Sequence, residues 1–168
     1  MRLLPIAYCL LPIPSPVPHC SAVSDHLLES LREKSSGRYW GLVGIEIVEA
    51  EPGRTVNRVL LQEHHLNYND VVHGGVISSL IDSAAGGAVR SLREAKEIAA
   101  RPHATSDLHV TYLAPATGTE LRAEARVIKA GRTAVFTEVE VTDDRGRPVA
   151  RGMVTFVIGS GPPVRAED

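Results

Sequence analysis

A chain of 168 residues is long enough for one domain with a real core. Its 43% apolar and 23% charged content is that of an ordinary globular protein, and a net charge of −2 excludes the broad basic surface that general nucleic-acid binding needs. The two cysteines, Cys9 and Cys20, both precede the patterned part of the chain, so neither a disulfide framework nor a cysteine zinc site is expected, and a reducing, cytoplasmic setting fits.

Residues 1–23 carry Pro5, Pro12, Pro14, Pro16 and Pro18 in an apolar background. The prolines break any helix, and the stretch falls short of the ~20 apolar residues of a membrane span. It reads as a disordered extension rather than a membrane anchor or a working secretion signal. Residues 24–159 read as a single domain, and 160–168 as a polar tail.

Ser24 can cap a helix with Asp25 in its first turn, running to about Lys34 with Leu27, Leu28 and Leu31 on one stripe. Ser35-Ser36-Gly37 ends it. Tyr39 to Ala50 is rich in Val and Ile and predicts a strand; Glu51-Pro52-Gly53 turns the chain; Arg54 to about His64 predicts the second strand of a hairpin. A long helix follows from Gly74 to about Leu92, with Val76, Ile77, Leu80, Ile81, Ala84, Ala85, Ala88, Val89 and Leu92 on an apolar face. Its other face carries Ser78, Ser79, Asp82, Ser83, Gly86 and Gly87, small residues where a solvated face would hold Lys and Glu. That predicts a buried helix with Asp82 as its odd charge. Glu94 to Arg101 is a charged connection. Four strands follow, Thr105–Leu113, Glu120–Ala130, Thr133–Thr142 and Pro148–Ile158, joined by turns at Pro115–Gly118, Ala130–Arg132 and Asp143–Gly146. One long apolar helix needs a sheet to cover it, so an α+β fold with a curved antiparallel sheet around the helix is expected.

The chemistry concentrates between Asn67 and Asp82. His73-Gly74-Gly75 opens the long helix, where unpaired N–H groups and a partial positive charge can polarise a carbonyl or hold an oxyanion. Asp82 can act as base or nucleophile. Gly74 and Asp82 are about 12 Å apart along the axis and well apart in azimuth, so one chain cannot aim both at one small group. If both act together, they come from two chains related by a two-fold axis. His73 can cap or orient the glycine loop, and Asn67 can simply end a strand. His64, His65 and His73 lack a matching carboxylate or cysteine pattern, so no metal site is expected. His103 and His109 read as surface residues. Arg126, Lys129 and Arg132, at the Ala130–Arg132 turn, form a basic cluster that is either a solvated hairpin end or a contact for nucleotide phosphates. A nucleophile elbow, a P-loop and a dinucleotide fingerprint are all missing.

Asn67, His73-Gly74-Gly75 and Asp82 together resemble the signature of hotdog-fold acyl-CoA thioesterases of the phenylacetic-acid-degradation type. Thr105 to Ala116 and Ala123 to Arg132 resemble the same family, over about Tyr39 to Ile158 in all. The resemblance implies a sheet wrapped round a helix, a homodimer or dimer of dimers, and hydrolysis of an acyl-CoA with no cofactor, coenzyme A being part of the substrate. It implies that the Gly74 N–H polarises the thioester carbonyl and that Asp82 of the other subunit attacks it or activates water. Asn67 and His73 would support the loop, and Thr105 would assist the water. Gly75, Ser79 and Ser83 are candidate substrate contacts, with Val76 and Gly86 beside them. Tyr68 and Asp70 depart from the Pro and Gly of many members. The alternative is a non-catalytic acyl-CoA-binding hotdog protein; a hydratase on the same fold ranks last.

Overall fold

The computed structural model describes residues 21–35, 37–95 and 102–160. Residues 1–20 of the expected extension, 161–168 of the expected tail and 96–101 of the charged connection lie outside the described residues. The elements in chain order are α1 (Ser21–Ser35), α2 (Arg38–Val43), β1 (Ile45–Glu51), β2 (Arg54–Leu60), a 3-10 turn (Glu63–His65), α3 (Gly74–Ala95), β3 (His103–Tyr112), β4 (Glu120–Ala130), β5 (Ala134–Asp143) and β6 (Pro148–Ile158). The six strands form one sheet in the order β1-β2-β4-β5-β6-β3, and every pairing is antiparallel. The sheet curves round α3.

Three elements ahead of α3 differ from expectation. Helix α1 starts at Ser21, three residues before the predicted cap at Ser24. The first half of the strand expected over Tyr39–Ala50 is instead the short helix α2. Gly37 (φ +81) and Gly44 (φ +72) take left-handed backbone at its two ends, which cuts this segment off from β1. Trp40 then packs against both hydrophobic clusters of the core. Strand β2 also stops at Leu60, and the chain tightens into the 3-10 turn before His73.

Alternation explains the strands. Leu121, Ala123 and Ala125 of β4, and Val135, Thr137, Val139 and Val141 of β5, are buried toward α3, while the residues alternating with them face out. The outer face carries a ladder of ion pairs in which Arg54 meets Glu49, Glu51 and Glu124.

Small residues set how closely α3 approaches the sheet. Thr55 Oγ1 donates to the Ala84 carbonyl at 2.7 Å, and a Cβ on Gly87 would come within 3.2 Å of that hydroxyl. A Cβ on Gly152 of β6 would lie 2.5 Å from Ile81 Cγ2. Ser83 and Gly87, expected on the polar side of the helix, are buried, as is Ser91. The half-exposed stripe that remains is Gly74, Ser78, Asp82, Gly86 and Arg90, one residue every four. Beside α3, Leu27 and Leu31 of α1 cover Ile47 and Ala50 of β1 in a second cluster. Each such leucine contributes about 1.5–3 kcal/mol by burial.

Candidate active site

The segment from β2 to α3 is tied down by its own backbone. Leu66 bridges Val72 across a tight loop. Within it the Asn67 N–H donates to the Val71 carbonyl at 2.8 Å, and the Asn67 side-chain oxygen accepts the Asn69 N–H at 2.8 Å. Asp70 takes a left-handed φ of +57. Asp tolerates that region through its short polar side chain, so the departure from Gly leaves the backbone in a conformation Gly would adopt freely. Tyr68 at the tip is 95% exposed. The loop is fastened outward through Val72 N–H to the Ala116 carbonyl and His73 N–H to the His65 carbonyl, at 3.0 and 2.8 Å.

His65 is buried, and its Nδ1 accepts the Gln62 N–H at 3.0 Å. Burial holds its pKa below the ordinary imidazole value; neighbouring His64 lowers it further, and the Val43 carbonyl opposes both.

At the start of α3, His73 acts as a cap: its Nδ1 accepts the Gly75 N–H at 2.9 Å, and its carbonyl accepts the Val76 N–H at 3.0 Å. The Gly74 N–H has no partner among the described residues. A side chain at either glycine would have to displace a neighbour. A Cβ on Gly75 would sit 2.9 Å from His73 Nδ1, and one on Gly74 would sit 3.2 Å from the Tyr112 hydroxyl. The result is one free N–H at a helix N-terminus, the donor an oxyanion needs.

Asp82 lies about two turns along α3 from Gly74 and about 80° round it, half-exposed, and its Oδ1 accepts the Thr105 hydroxyl at 2.7 Å. A β-bulge aims Thr105. Thr105 pairs with Phe156 and Asp107 with Thr155, leaving Ser106 as the extra residue. Thr105 therefore points inward with Phe156, against which Gly86 packs. The free N–H and the Asp82–Thr105 pair remain about 12 Å apart along the helix. Within one chain they do not meet at one small group.

The remaining sequence candidates fall into three groups. Ser79 lies beside the helix start: its hydroxyl donates to the Gly75 carbonyl at 2.8 Å and meets the Tyr39 hydroxyl at 2.6 Å. Ser83 is 6% exposed and faces the core. Arg126, Lys129 and Arg132 are all exposed, but Arg126 is ion-paired with Glu124 on the outer face. The turn holding Arg132 sits at the end of the sheet where β3 begins. There the Thr133 carbonyl accepts the Ile158 N–H at 2.9 Å, and Ile158 pairs with His103, two residues before Thr105. His109 is exposed as expected; His103 is half-buried, its ring edge-on to Phe156 at 5.6 Å. Among the described residues no three His, Cys, Asp or Glu side chains come together as a metal-holding group, and no helix is long and apolar enough to cross a membrane.

Tyr112, Ser78 and Tyr39 were not among the sequence candidates. Tyr112 lies on the inward phase of β3 with Leu108 and Val110, a signal the alternation carries. Tyr39 was hidden by the strand expected there.

A six-stranded antiparallel sheet wrapped round one long helix, with a glycine-marked helix start and a carboxylate two turns on, is a hotdog fold. A family model described as the thioesterase superfamily matches residues 69–150. Human acyl-coenzyme A thioesterase 13 is 30% identical over 144 residues, which cover 83% of this chain and 99% of that protein. The structure of a conserved Pseudomonas aeruginosa protein aligns with a TM-score of 0.69 at 31% identity, covering 76% of this chain and 98% of the other. A hypothetical thioesterase from Streptococcus pneumoniae, solved with coenzyme A, gives 0.61 at 25% identity over 68% of this chain and 84% of its own. The chain belongs to the thioesterase superfamily.

Proposed function

We propose that the protein is a homodimeric acyl-CoA thioesterase that hydrolyses an acyl- or aryl-acetyl-CoA to the free acid and CoA. The observation that carries this reading is the free Gly74 N–H on the same helix as the Thr105-held Asp82. In this reading the Gly74 N–H of one protomer takes the thioester carbonyl oxygen, and Asp82 of the second protomer faces the carbonyl carbon. As a base, Asp82 removes a proton from water; the hydroxide adds to the carbon, negative charge collects at the Gly74 N–H, and the C–S bond breaks. The proton passes to the departing thiolate, giving acid and thiol. As a nucleophile, the Asp82 carboxylate would add to the carbon and leave an anhydride for water to open. In single turnover in heavy-oxygen water the base route always puts solvent oxygen into the acid, whereas an anhydride opened by water at the Asp82 carbonyl gives a first product whose new oxygen comes from Asp82, so an unlabelled first product establishes the nucleophilic route.

The other residues take supporting roles. Asn67 and His73 shape the loop, Thr105 fixes the carboxylate rotamer, and Gly75, Ser79 and Ser83 with Val76 and Gly86 border the acyl group. Lys129 and Arg132 would contact the nucleotide phosphates, while Arg126 is held by Glu124. No cofactor is needed, because coenzyme A is the leaving group.

Free-thiol release across an acyl-CoA panel tests the reading. Asp82→Ala is expected to lose on the order of 10²–10⁴ of wild-type turnover, and unchanged turnover would remove Asp82 from the chemistry. Tight acyl-CoA binding by the wild type without thiol release would establish a non-catalytic binder instead. Mixing Asn67→Ala and Asp82→Ala chains should restore up to about a quarter of wild-type activity through hybrid dimers with one intact site. No recovery despite demonstrated subunit exchange would sink the shared site. The same preparations, run on a sizing column, decide between a dimer and a dimer of dimers.

A further inference from the structure

The peptide groups around Gly74 are tied down on every side but one. The His73 N–H donates to the His65 carbonyl at 2.8 Å, and the His73 carbonyl accepts the Val76 N–H at 3.0 Å. The Gly74 carbonyl accepts the Tyr112 hydroxyl at 3.0 Å and the Ser78 hydroxyl at 3.0 Å, and those hydroxyls are 2.7 Å from each other. The Gly75 N–H donates to His73 Nδ1 at 2.9 Å. The Gly75 carbonyl accepts Ser79, which is in turn met by Tyr39. Among the described residues only the Gly74 N–H is left over.

Two tyrosine–serine pairs thus hold the carbonyls of two adjacent glycines. Each serine sits four residues after its glycine and bonds back to that glycine's carbonyl. Each tyrosine arrives from a different element, Tyr112 from β3 and Tyr39 from α2. Glycine has the widest backbone freedom of any residue, and a helix gains no rigidity from it. A Gly-Gly helix start is therefore the place where an N–H would wander without an outside brace. The Gly74 N–H shares its peptide plane with the His73 carbonyl, which the Val76 N–H holds; Tyr112 and Ser78 hold the next plane, so the two planes that meet at the Gly74 Cα are both anchored.

We propose that Tyr112 and Ser78 are positioning residues that aim the Gly74 N–H, with Tyr39 and Ser79 bracing the next peptide. The proposal rests on the thioesterase reading, because the N–H has work to do only if it meets a carbonyl oxygen. Tyr112 touches the catalytic donor's own residue rather than the substrate, so its removal should lower turnover and leave binding alone.

Steady-state kinetics on an acyl-CoA that the wild type hydrolyses test this. Tyr112→Phe keeps the ring and deletes one hydroxyl. It should lower kcat by about fivefold to twentyfold with KM within about twofold, and with the wild-type melting temperature and assembly. Ser78→Ala should act in the same direction. Because the two hydroxyls form one unit, the double variant should lose little more than the worse single one. Unchanged kcat in folded Tyr112→Phe, or single losses that multiply in the double variant, would overturn the proposal. So would a raised KM at constant kcat, which would make Tyr112 a substrate contact. The Gly74 amide resonance gives a readout independent of activity. It should shift in Tyr112→Phe relative to wild type, and an unmoved resonance overturns the brace. A wild type that hydrolyses no acyl-CoA on the panel would defeat the functional reading alone, leaving the amide resonance to decide the brace.

Discussion

The two edge strands of the sheet are finished in opposite ways. At β1, helix α1 closes the inner face, and Leu27, Leu31, Ile47 and Ala50 are all buried. At β3, every residue from Ala104 to His109 is exposed, and Leu108 and Tyr112 keep 38% and 51% of their surface open. Yet β3 is the strand whose side chains touch α3 at both points, Thr105 at Asp82 and Tyr112 at Gly74. An uncovered edge strand offers its unpaired backbone groups to another chain. The contrast teaches a division of labour: one edge is completed internally and supports the fold, while the other is open where the candidate site residues gather.

That division can be broken experimentally, starting where the effect should be greatest. Leu108→Glu places a charge on the inward side of the open edge. If a second protomer covers β3, the unpaired charge should weaken association by about 3–5 kcal/mol. Sizing chromatography should then show monomer, with thiol release lost in parallel. A variant that still assembles and turns over at the wild-type rate would remove β3 from the interface. Leu31→Ala on the covered edge should do the reverse. It should lower unfolding stability by about 2–5 kcal/mol while the folded enzyme keeps its kcat; a kcat loss without destabilisation would contradict the contrast. Gly152→Ala tests the ground between the edges. Its new methyl would press Ile81 away from β6, at about 1–3 kcal/mol of stability. An unaltered denaturation midpoint would show that α3 can shift at no cost.

The smallest effect is a pH dependence on the functional side. His65, whose carbonyl holds His73, has a folded pKa below its unfolded one. As pH falls through the ordinary imidazole range near about 6.5, the unfolded chain takes up a proton that the native chain resists, so stability declines until the folded pKa is reached. Urea titrations at descending pH should show this, and His65→Gln should flatten the curve; an identical slope in the variant would assign the effect to other groups.

Much of the architecture was legible because local patterns and packing agree. The limits of β4 and β6 match the alternating stretches Glu120–Ala130 and Pro148–Ile158, and α3 begins at Gly74 as the glycine pair predicts. Helix α2 was not legible, because its apolar residues suit a strand as well as a helix. What decides is left-handed backbone at Gly37 and Gly44 and the seat Trp40 finds between two clusters. In the candidate site, the separation of Gly74 from Asp82 follows from counting residues along a helix. Family resemblance points to Thr105 as assisting the water, but its contact with Asp82 was not legible, since it joins residues 23 apart through a bulge. The tyrosine–serine pairs were beyond reach. Ser78 and Ser79 looked like small residues on a helix face, and nothing local says which hydroxyl from 34 or 40 residues away will meet them.

The spacing of the Gly74 N–H and the Asp82 carboxylate along one helix has a consequence for how output scales. If neither protomer holds a whole site, activity is a property of the pair and obeys mass action. Diluted below the dissociation constant of the dimer, each chain would turn over more slowly in proportion to total protein. Total flux would then rise with the square of the amount of enzyme, so modest changes in abundance would be amplified in the rate.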